Sequence, residues 1–137
     1  MGKILIVILF LAVGIEANGQ SVNQTEIIGL WKVKRIVQNS SDPDFAPITD
    51  GFVKSTFTFS SSGDFDFHTT SASQEFIELI EMFNGTKWKF IKEDQLIRIG
   101  NEEDNFSILG INVKKTDGLL IFHLDESEIH LEMLKID

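Results

Sequence analysis

The stretch FTFSSSGDFDFH, residues 57–68, decides the fold. Aromatic and polar residues alternate on both sides of Ser61-Ser62-Gly63, which fits a three-residue hairpin loop with glycine in the left-handed position. Pairing the two arms around this loop sets Phe59 opposite Phe65. Because successive side chains of a strand point to opposite faces, the phenyl rings of both arms share one side of the hairpin. The stretch therefore predicts an antiparallel sheet with one face hidden from water.

The same alternation continues along the chain and predicts eight strands. The strongest hairpin pattern is at Asp117-Gly118, which sets Val113 opposite Phe122. A two-residue turn at Glu93-Asp94 joins another pair of strands, and the last turn is centred on Glu126-Ser127. The predicted strands cover residues 28–38, 52–59, 64–70, 86–92, 95–100, 106–115, 119–125 and the segment after the last turn.

Hairpins between sequence neighbours, without βαβ spacing, predict an all-β fold: an eight-stranded antiparallel up-and-down β-barrel. Closing the sheet on itself removes its edge strands and leaves an interior that side chains fill or that holds one small ligand. An open sheet or a sandwich is the rival architecture. Between the fifth and sixth strands, the neighbouring registers agree only if Gly110 sits at a bulge.

Residues 72–83 change to a helical period and predict a short helix between the third and fourth strands. Its apolar stripe consists of Phe76, Leu79, Ile80 and Phe83. Ser71 with Gln74 resembles a capping box at its start, and Asn84-Gly85 is a typical stop. The stripe either packs on the barrel, caps its mouth or binds a partner. Residues 39–51 are predicted to form a loop near the barrel entrance.

The start of the chain has the pattern of a signal peptide, which predicts a leader at residues 1–19 and a barrel domain at residues 20–137. Lys3 supplies the positive start, residues 4–14 are apolar, and Ala17-Asn18-Gly19 places small residues before the cut. A membrane anchor is the alternative, but the apolar stretch is about half of the roughly 20 residues that a bilayer core demands. We expect a secreted or periplasmic protein with no membrane span in its mature part.

The composition of the chain limits the kinds of partner and the cellular compartment that we expect. The chain has no cysteine, which excludes a disulfide framework and a lipid-modified cysteine after the leader. Export without disulfides favours a bacterial periplasm or culture medium, whereas four Asn-x-Ser/Thr sequons, at Asn23, Asn39, Asn84 and Asn105, favour an animal secretory pathway. The formal net charge of −9 argues against nucleic acid or anionic lipid as the main partner, because both need a basic patch.

Gly29-Leu30-Trp31, at the head of the first predicted strand, resembles the lipocalin family and the lipocalin-like domains of exported bacterial proteins. The likeness also rests on the Thr-Phe-Thr-Phe run with its Ser-Ser-Gly turn and on Gly85-Thr86-Lys87-Trp88. It implies that Trp31 lies across the closed end of the barrel and that Gly29 allows close backbone approach.

Three features of the sequence differ from the pattern of the lipocalin family. Lipocalins generally place a helix after the last strand, but this sequence has no room for one after Lys135. The predicted helix instead lies between the third and fourth strands. The basic residue that the family sets on the final strand over the tryptophan can only be Lys135 here. For these reasons the ligand range of lipocalins is not transferred to this chain.

The hairpin registers point one apolar set of side chains into the barrel, and this set is the predicted ligand-binding lining. It comprises Phe57, Phe59, Phe65, Phe67, Trp88, Phe90, Ile97, Ile99, Phe122, Leu124, Leu131 and Met133. Such a wall suits a small apolar ligand held by burial, at about 25 cal/mol per Å². Alternatively the rings fill the barrel, which then acts as a non-catalytic envelope or secreted protein-interaction module.

The opposite, polar face carries one candidate metal cluster, because the last hairpin pairs His123 with His130 and Asp125 with Glu128. Zinc accepts such imidazole and carboxylate donors, but a solvated hairpin end explains the same cluster, and we expect no metal and no cofactor.

The chain lacks the motifs of a hydrolase or nucleotide enzyme. It has no cysteine nucleophile, no Gly-x-Ser-x-Gly elbow and no glycine-rich phosphate loop. An isomerase or hydrolase of this shape would need a polar group facing into the barrel. We therefore expect no enzymatic activity and name no catalytic residue.

Overall fold

The computed structural model describes residues 21–38, 46–70 and 73–136. The predicted leader, residues 1–19, lies outside the described residues, as do residues 39–45 of the predicted loop and Ser71 of the predicted capping box.

Eight antiparallel strands form a single sheet that nearly closes into a barrel, so the predicted fold class is confirmed. The strands are β1 (Gly29–Gln38), β2 (Ser55–Phe59), β3 (Phe65–Thr69), β4 (Lys87–Ile91), β5 (Leu96–Gly100), β6 (Leu109–Thr116), β7 (Leu119–Leu124) and β8 (His130–Lys135). Their order is β3-β2-β1-β8-β7-β6-β5-β4, so every pair except β1 with β8 joins sequence neighbours. The two outer strands meet at a bridge between Asp64 and Lys87. There the Phe65 amide donates to the Thr86 carbonyl at 3.1 Å and the Trp88 amide to the Gly63 carbonyl at 2.9 Å.

The predicted hairpin registers are confirmed. Phe59 pairs with Phe65, and Val113 pairs with Phe122. Asp117 and Gly118 both have positive φ, at 51° and 80°, which is the backbone that a tight two-residue hairpin turn requires. The predicted turn at Glu93-Asp94 is longer than expected, because Lys92–Asp94 form a turn of 3-10 helix.

The predicted bulge at Gly110 is wrong. Gly110 pairs with Arg98 inside an unbroken ladder, and the irregular positions lie in β1 instead. Strand β6 begins at Leu109, not at residue 106, because Phe106 turns at φ 54° and donates its amide to Asn101. Gly110 has a different role: a Cβ there would lie 3.1 Å from Oδ2 of Asp125, so glycine makes room for that carboxylate.

In the part of the chain that the structure describes, three α-helices accompany the barrel, of which the sequence predicted one. They are α1 (Gln24–Ile27), α2 (Ala46–Val53) and α3 (Gln74–Phe83). Helix α2 corrects two predictions, since residues 46–51 were expected to be loop and residues 52–53 to begin a strand. The cause is tertiary packing: the Phe52 ring meets the Phe76 ring edge to face at 5.0 Å, which pulls the segment onto α3.

Helix α3 ends at Asn84-Gly85 as predicted but begins later. Its cap is Ser73, whose hydroxyl accepts the Phe76 amide at 3.3 Å, whereas the predicted cap, Ser71, lies outside the described residues. Phe76 and Phe83 are buried against the β3 ring of Phe67, and Leu79 and Ile80 are half-buried beside them. The apolar stripe therefore packs on the barrel.

Candidate functional site

The predicted lining residues form the inner wall of the barrel. Eleven of the twelve are buried, and Phe90 is half-buried against the same core. Side chains of β1 and of helices α2 and α3 belong to the same core. They are Trp31, Val33, Phe52, Phe76 and Phe83. Sequence periodicity thus found the inward faces of the strands, but it could not say how much of the interior the side chains fill.

Ring contacts across the barrel show that much of the interior is filled by side chains. Phe57 and Phe59 of β2 both contact Phe122 of β7, with centroids 5.8 and 6.0 Å apart. Strands β1 and β8 separate β2 from β7 in the sheet, so these rings meet across the lumen and not along the wall. Phe59 also contacts Trp88 of β4 at 5.3 Å. At these separations no ligand fits between the rings of β2 and β7.

The N-terminal segment with α1 covers one end of this packed barrel. Val22 and Ile27 are fully buried. Gln95 holds the segment at Val22 by two hydrogen bonds, accepting the Val22 amide at 2.7 Å and donating to its carbonyl at 3.2 Å. Glu26 accepts from Lys115 of β6 at 2.9 Å. These contacts tie the segment to the turn between β4 and β5 and to β6, so the segment lies over this end of the barrel.

Trp31 lies at the same end, 5 % exposed. Its indole N–H donates to the Ile27 carbonyl at 2.7 Å, and the Lys135 ammonium lies 5.6 Å from its ring centroid. Lys135 thus lies over the tryptophan, as we predicted for the basic residue of the final strand. Gly29, two residues earlier, has φ 142°, a conformation that L side chains rarely adopt, and this explains the glycine.

Next to Trp31 is a surface groove of about 380 Å³, which we call the end groove. It is lined by Glu26, Trp31, Lys115, Gly118, Leu119, Leu120, Met133, Leu134 and Lys135. Lys115 and Lys135 lie two residues beyond the buried Val113 and Met133, on the inward side of strands that end here. Their ammonium groups therefore reach past the core into the groove. No local sequence pattern indicates this site, because its walls come from α1, β1, β6, β7 and β8.

Lys115 has the largest effect on the pKa of Glu26 in the end groove. Its hydrogen bond to Glu26 is the main cause that lowers the pKa of this carboxyl below its usual 4.5, and the Asn23 amide adds to the effect. Glu26 is therefore ionised at neutral pH. Among the described lining residues, two ammonium groups against one carboxylate give a formal net charge of +1.

The candidate metal residues are brought together only in part. His123 and His130 pair as predicted, with rings stacked at 4.0 Å and an interplanar angle of 4°. His123 Nε2 lies 2.7 Å from the Ser127 carbonyl, and the Asp125 carboxylate packs on Gly110. Within residues 21–38, 46–70 and 73–136, no three His, Cys, Asp or Glu side chains group as metal ligands.

The ion pairs of Glu132 with two basic residues of β1 were not predicted from the sequence. Glu132 on β8 is only 6 % exposed, although it lies on the outward face, because Arg35 and Lys34 of β1 cover it at 3.2 and 3.6 Å. The register shift between Val33 and Arg35 in β1 lies at this position. The Arg35 guanidinium is the main cause that lowers the pKa of this carboxyl.

Comparison of the chain with protein-family models, curated proteins and solved structures gives no match in any of the three. Among the described residues, no helix combines the length and the apolar character needed to cross a bilayer.

Proposed function

We propose that this protein is an exported, non-catalytic barrel of lipocalin-like type that binds partners through its outer surface and not through its lumen. The observation that carries the proposal is the contact of Phe59 with Phe122 across the barrel, at 6.0 Å. A carrier of this size needs a continuous interior volume of about 300 Å³ or more, and rings in mutual contact occupy that space.

The lipocalin-like class is supported by the placement of three residues. Gly29 begins β1, the Trp31 indole donates to Ile27 beneath it, and Lys135 of the last strand lies over the ring. Export is supported by the leader pattern at residues 1–19.

The non-catalytic part is supported by the polar groups of the core. Among the described residues, the buried polar side chains are Thr49, Ser55, Thr86 and Glu132. Glu132, the one carboxylate in this set, faces outward and is bound by Arg35 at 3.2 Å. Acid–base work inside the barrel would require a carboxylate or imidazole on the opposite side of the sheet.

The proposal is tested by thermal shift with neutral apolar compounds, namely retinol, naphthalene and decanol. A carrier would gain about 2.7 kcal/mol at a ligand concentration a hundredfold above Kd, which is an easily measured shift. We expect no shift. The Val113→Phe variant adds a ring that narrows the lumen. If a compound stabilised the native protein but not this variant, the ligand would lie among the inner residues, and the proposal would be overturned.

A further inference from the structure

We propose that the end groove binds an organic monoanion with an apolar body, such as a medium-chain carboxylate. The inference deepens the proposed function and rests on it in one respect: the ligand binds at the outer surface because the lumen is filled.

The first argument is the charge of the groove. Lys135 forms no ion pair among the described residues. Its ammonium lies beside the Trp31 ring, and its charge also helps to lower the pKa of Glu26. Lys115 is paired with Glu26 at 2.9 Å. The groove therefore offers one cation that a single negative group can neutralise, in a protein whose formal net charge is −9. The positive charge of the groove contrasts with the negative net charge of the whole chain, and this local charge favours an anion in the groove.

The second argument is the apolar wall. Leu134 is 46 % exposed and borders the groove together with Leu119, and Ile136, 51 % exposed, follows directly on Lys135. Water reaches these side chains, so an alkyl body that covered them would gain the free energy of apolar burial. An inorganic anion would leave these apolar side chains exposed to water and would gain no free energy from burying them.

The third argument is size. A volume of about 380 Å³ lies at the lower end of the range of small-molecule sites, about 300 to 1,000 Å³. It suits one short amphiphile lying along the groove, with its carboxylate at Lys135 and its alkyl chain on Leu119 and Leu134. Trp31, which lines the groove, is a natural fluorescent reporter of occupancy.

The experiment is calorimetric titration of the purified protein with decanoate, with tryptophan fluorescence as a second readout. We expect one ligand per chain. Lys135→Met should weaken binding about tenfold, the usual effect of losing a hydrogen bond to a charged group. Lys135→Arg should restore most of the affinity, and Leu134→Gln should weaken it through the lost apolar contact.

The matched control is Lys89→Met. Lys89 also places its ammonium over an aromatic ring, that of Phe106 at 4.6 Å, but it lies outside the groove. This variant should bind decanoate like the native protein. Decanol, which has the same chain without the charge, should not bind measurably. Melting curves of each variant exclude loss of fold as the cause.

The outcomes separate this inference from the proposed function. Absence of decanoate binding, equal loss in Lys89→Met and Lys135→Met, or equal binding of decanol would overturn the end-groove site and leave the filled-barrel proposal standing. If the Lys135→Met variant still binds decanoate and the Val113→Phe variant does not, the ligand lies in the lumen. That result would overturn both the end-groove site and the filled-barrel proposal.

Discussion

The Lys135 ammonium lies 5.6 Å from the ring centroid of Trp31, at the position where the last strand pairs with the first. Trp31 pairs directly with Lys135 in the β1–β8 ladder, and its indole nitrogen is held by Ile27. One tryptophan thus connects the N-terminal segment, the first strand and the last strand. The pair joins the two ends of the described barrel domain, and its energetics can be measured.

The cation over Trp31 should contribute modestly to stability. Because Lys135 is exposed, we expect Lys135→Met to lower the free energy of unfolding by about 0.5 to 1 kcal/mol, measured by urea denaturation. Trp31→Phe should cost more, because it leaves the Ile27 carbonyl without its donor in a buried place and also removes ring volume. If Lys135→Met cost as much as Trp31→Phe, the lysine would have a structural role beyond this contact.

Gly51 in helix α2 should resist substitution although alanine favours helices. Alanine normally stabilises a helix by about 1 kcal/mol over glycine. A Cβ at Gly51 would overlap the Phe76 ring, so Gly51→Ala should instead destabilise the protein by about 1 to 3 kcal/mol. The added substitution Phe76→Leu should reduce the penalty in a double-mutant cycle. Two additive effects would show that the ring is not what excludes the methyl group.

Two of the ion pairs, those of Glu26 and Glu132, should make stability fall in acid. The folded state lowers the pKa of Glu26 and Glu132 below their usual 4.5, chiefly through Lys115 and Arg35. The unfolded chain therefore takes up protons first, and the stabilisation is complete above the unfolded pKa and lost as pH falls through the folded values. Urea midpoints measured from about pH 6 to about pH 3 should fall less in Glu132→Gln than in the native protein.

Glu126→Gln is the control for this pH series. Glu126 lies in the exposed turn between β7 and β8 and takes part in no ion pair among the described residues. It should keep the native slope. A native slope in Glu132→Gln as well would mean that other groups carry the acid sensitivity.

Zinc should not stabilise the stacked histidines. His123 and His130 supply two donors, and the Nε2 of His123 already contacts a backbone carbonyl at 2.7 Å. A stable zinc site generally needs three or four protein ligands. We expect equimolar zinc to leave the melting temperature unchanged, in native protein and in His123→Gln alike. A rise that only the native protein shows would restore the metal hypothesis.

The sequence predicted the strands well and the site poorly, for a physical reason. Strand alternation is a local pattern, so the pairing of Phe59 with Phe65 could be read directly from residues 57–68. Helix α2 was missed because Phe52 continues the alternation of β2, while its contact with Phe76 is tertiary. The end groove joins Glu26, Lys115 and Lys135 from three distant parts of the chain, which no local spacing reveals.

The ring contacts across the lumen lead to the last prediction, that a ring must be removed before the core can bind an apolar guest. Phe122 is fully buried and its ring meets those of Trp31, Phe57 and Phe59. Phe122→Ala should lower the free energy of unfolding by about 3 to 5 kcal/mol, and the milder Phe122→Leu by less.

The space left by Phe122→Ala is lined by apolar groups, so it should stay dry and accept benzene, raising the melting temperature of this variant. Native protein should show no such rise, and neither should Val37→Ala, which trims a side chain that is 47 % exposed and so opens no cavity. Because benzene is neutral and smaller than any carrier ligand, stabilisation of the native protein would mean that the rings of β2 and β7 part readily. In that case the lumen, and not the outer surface, would be the place to look for the ligand.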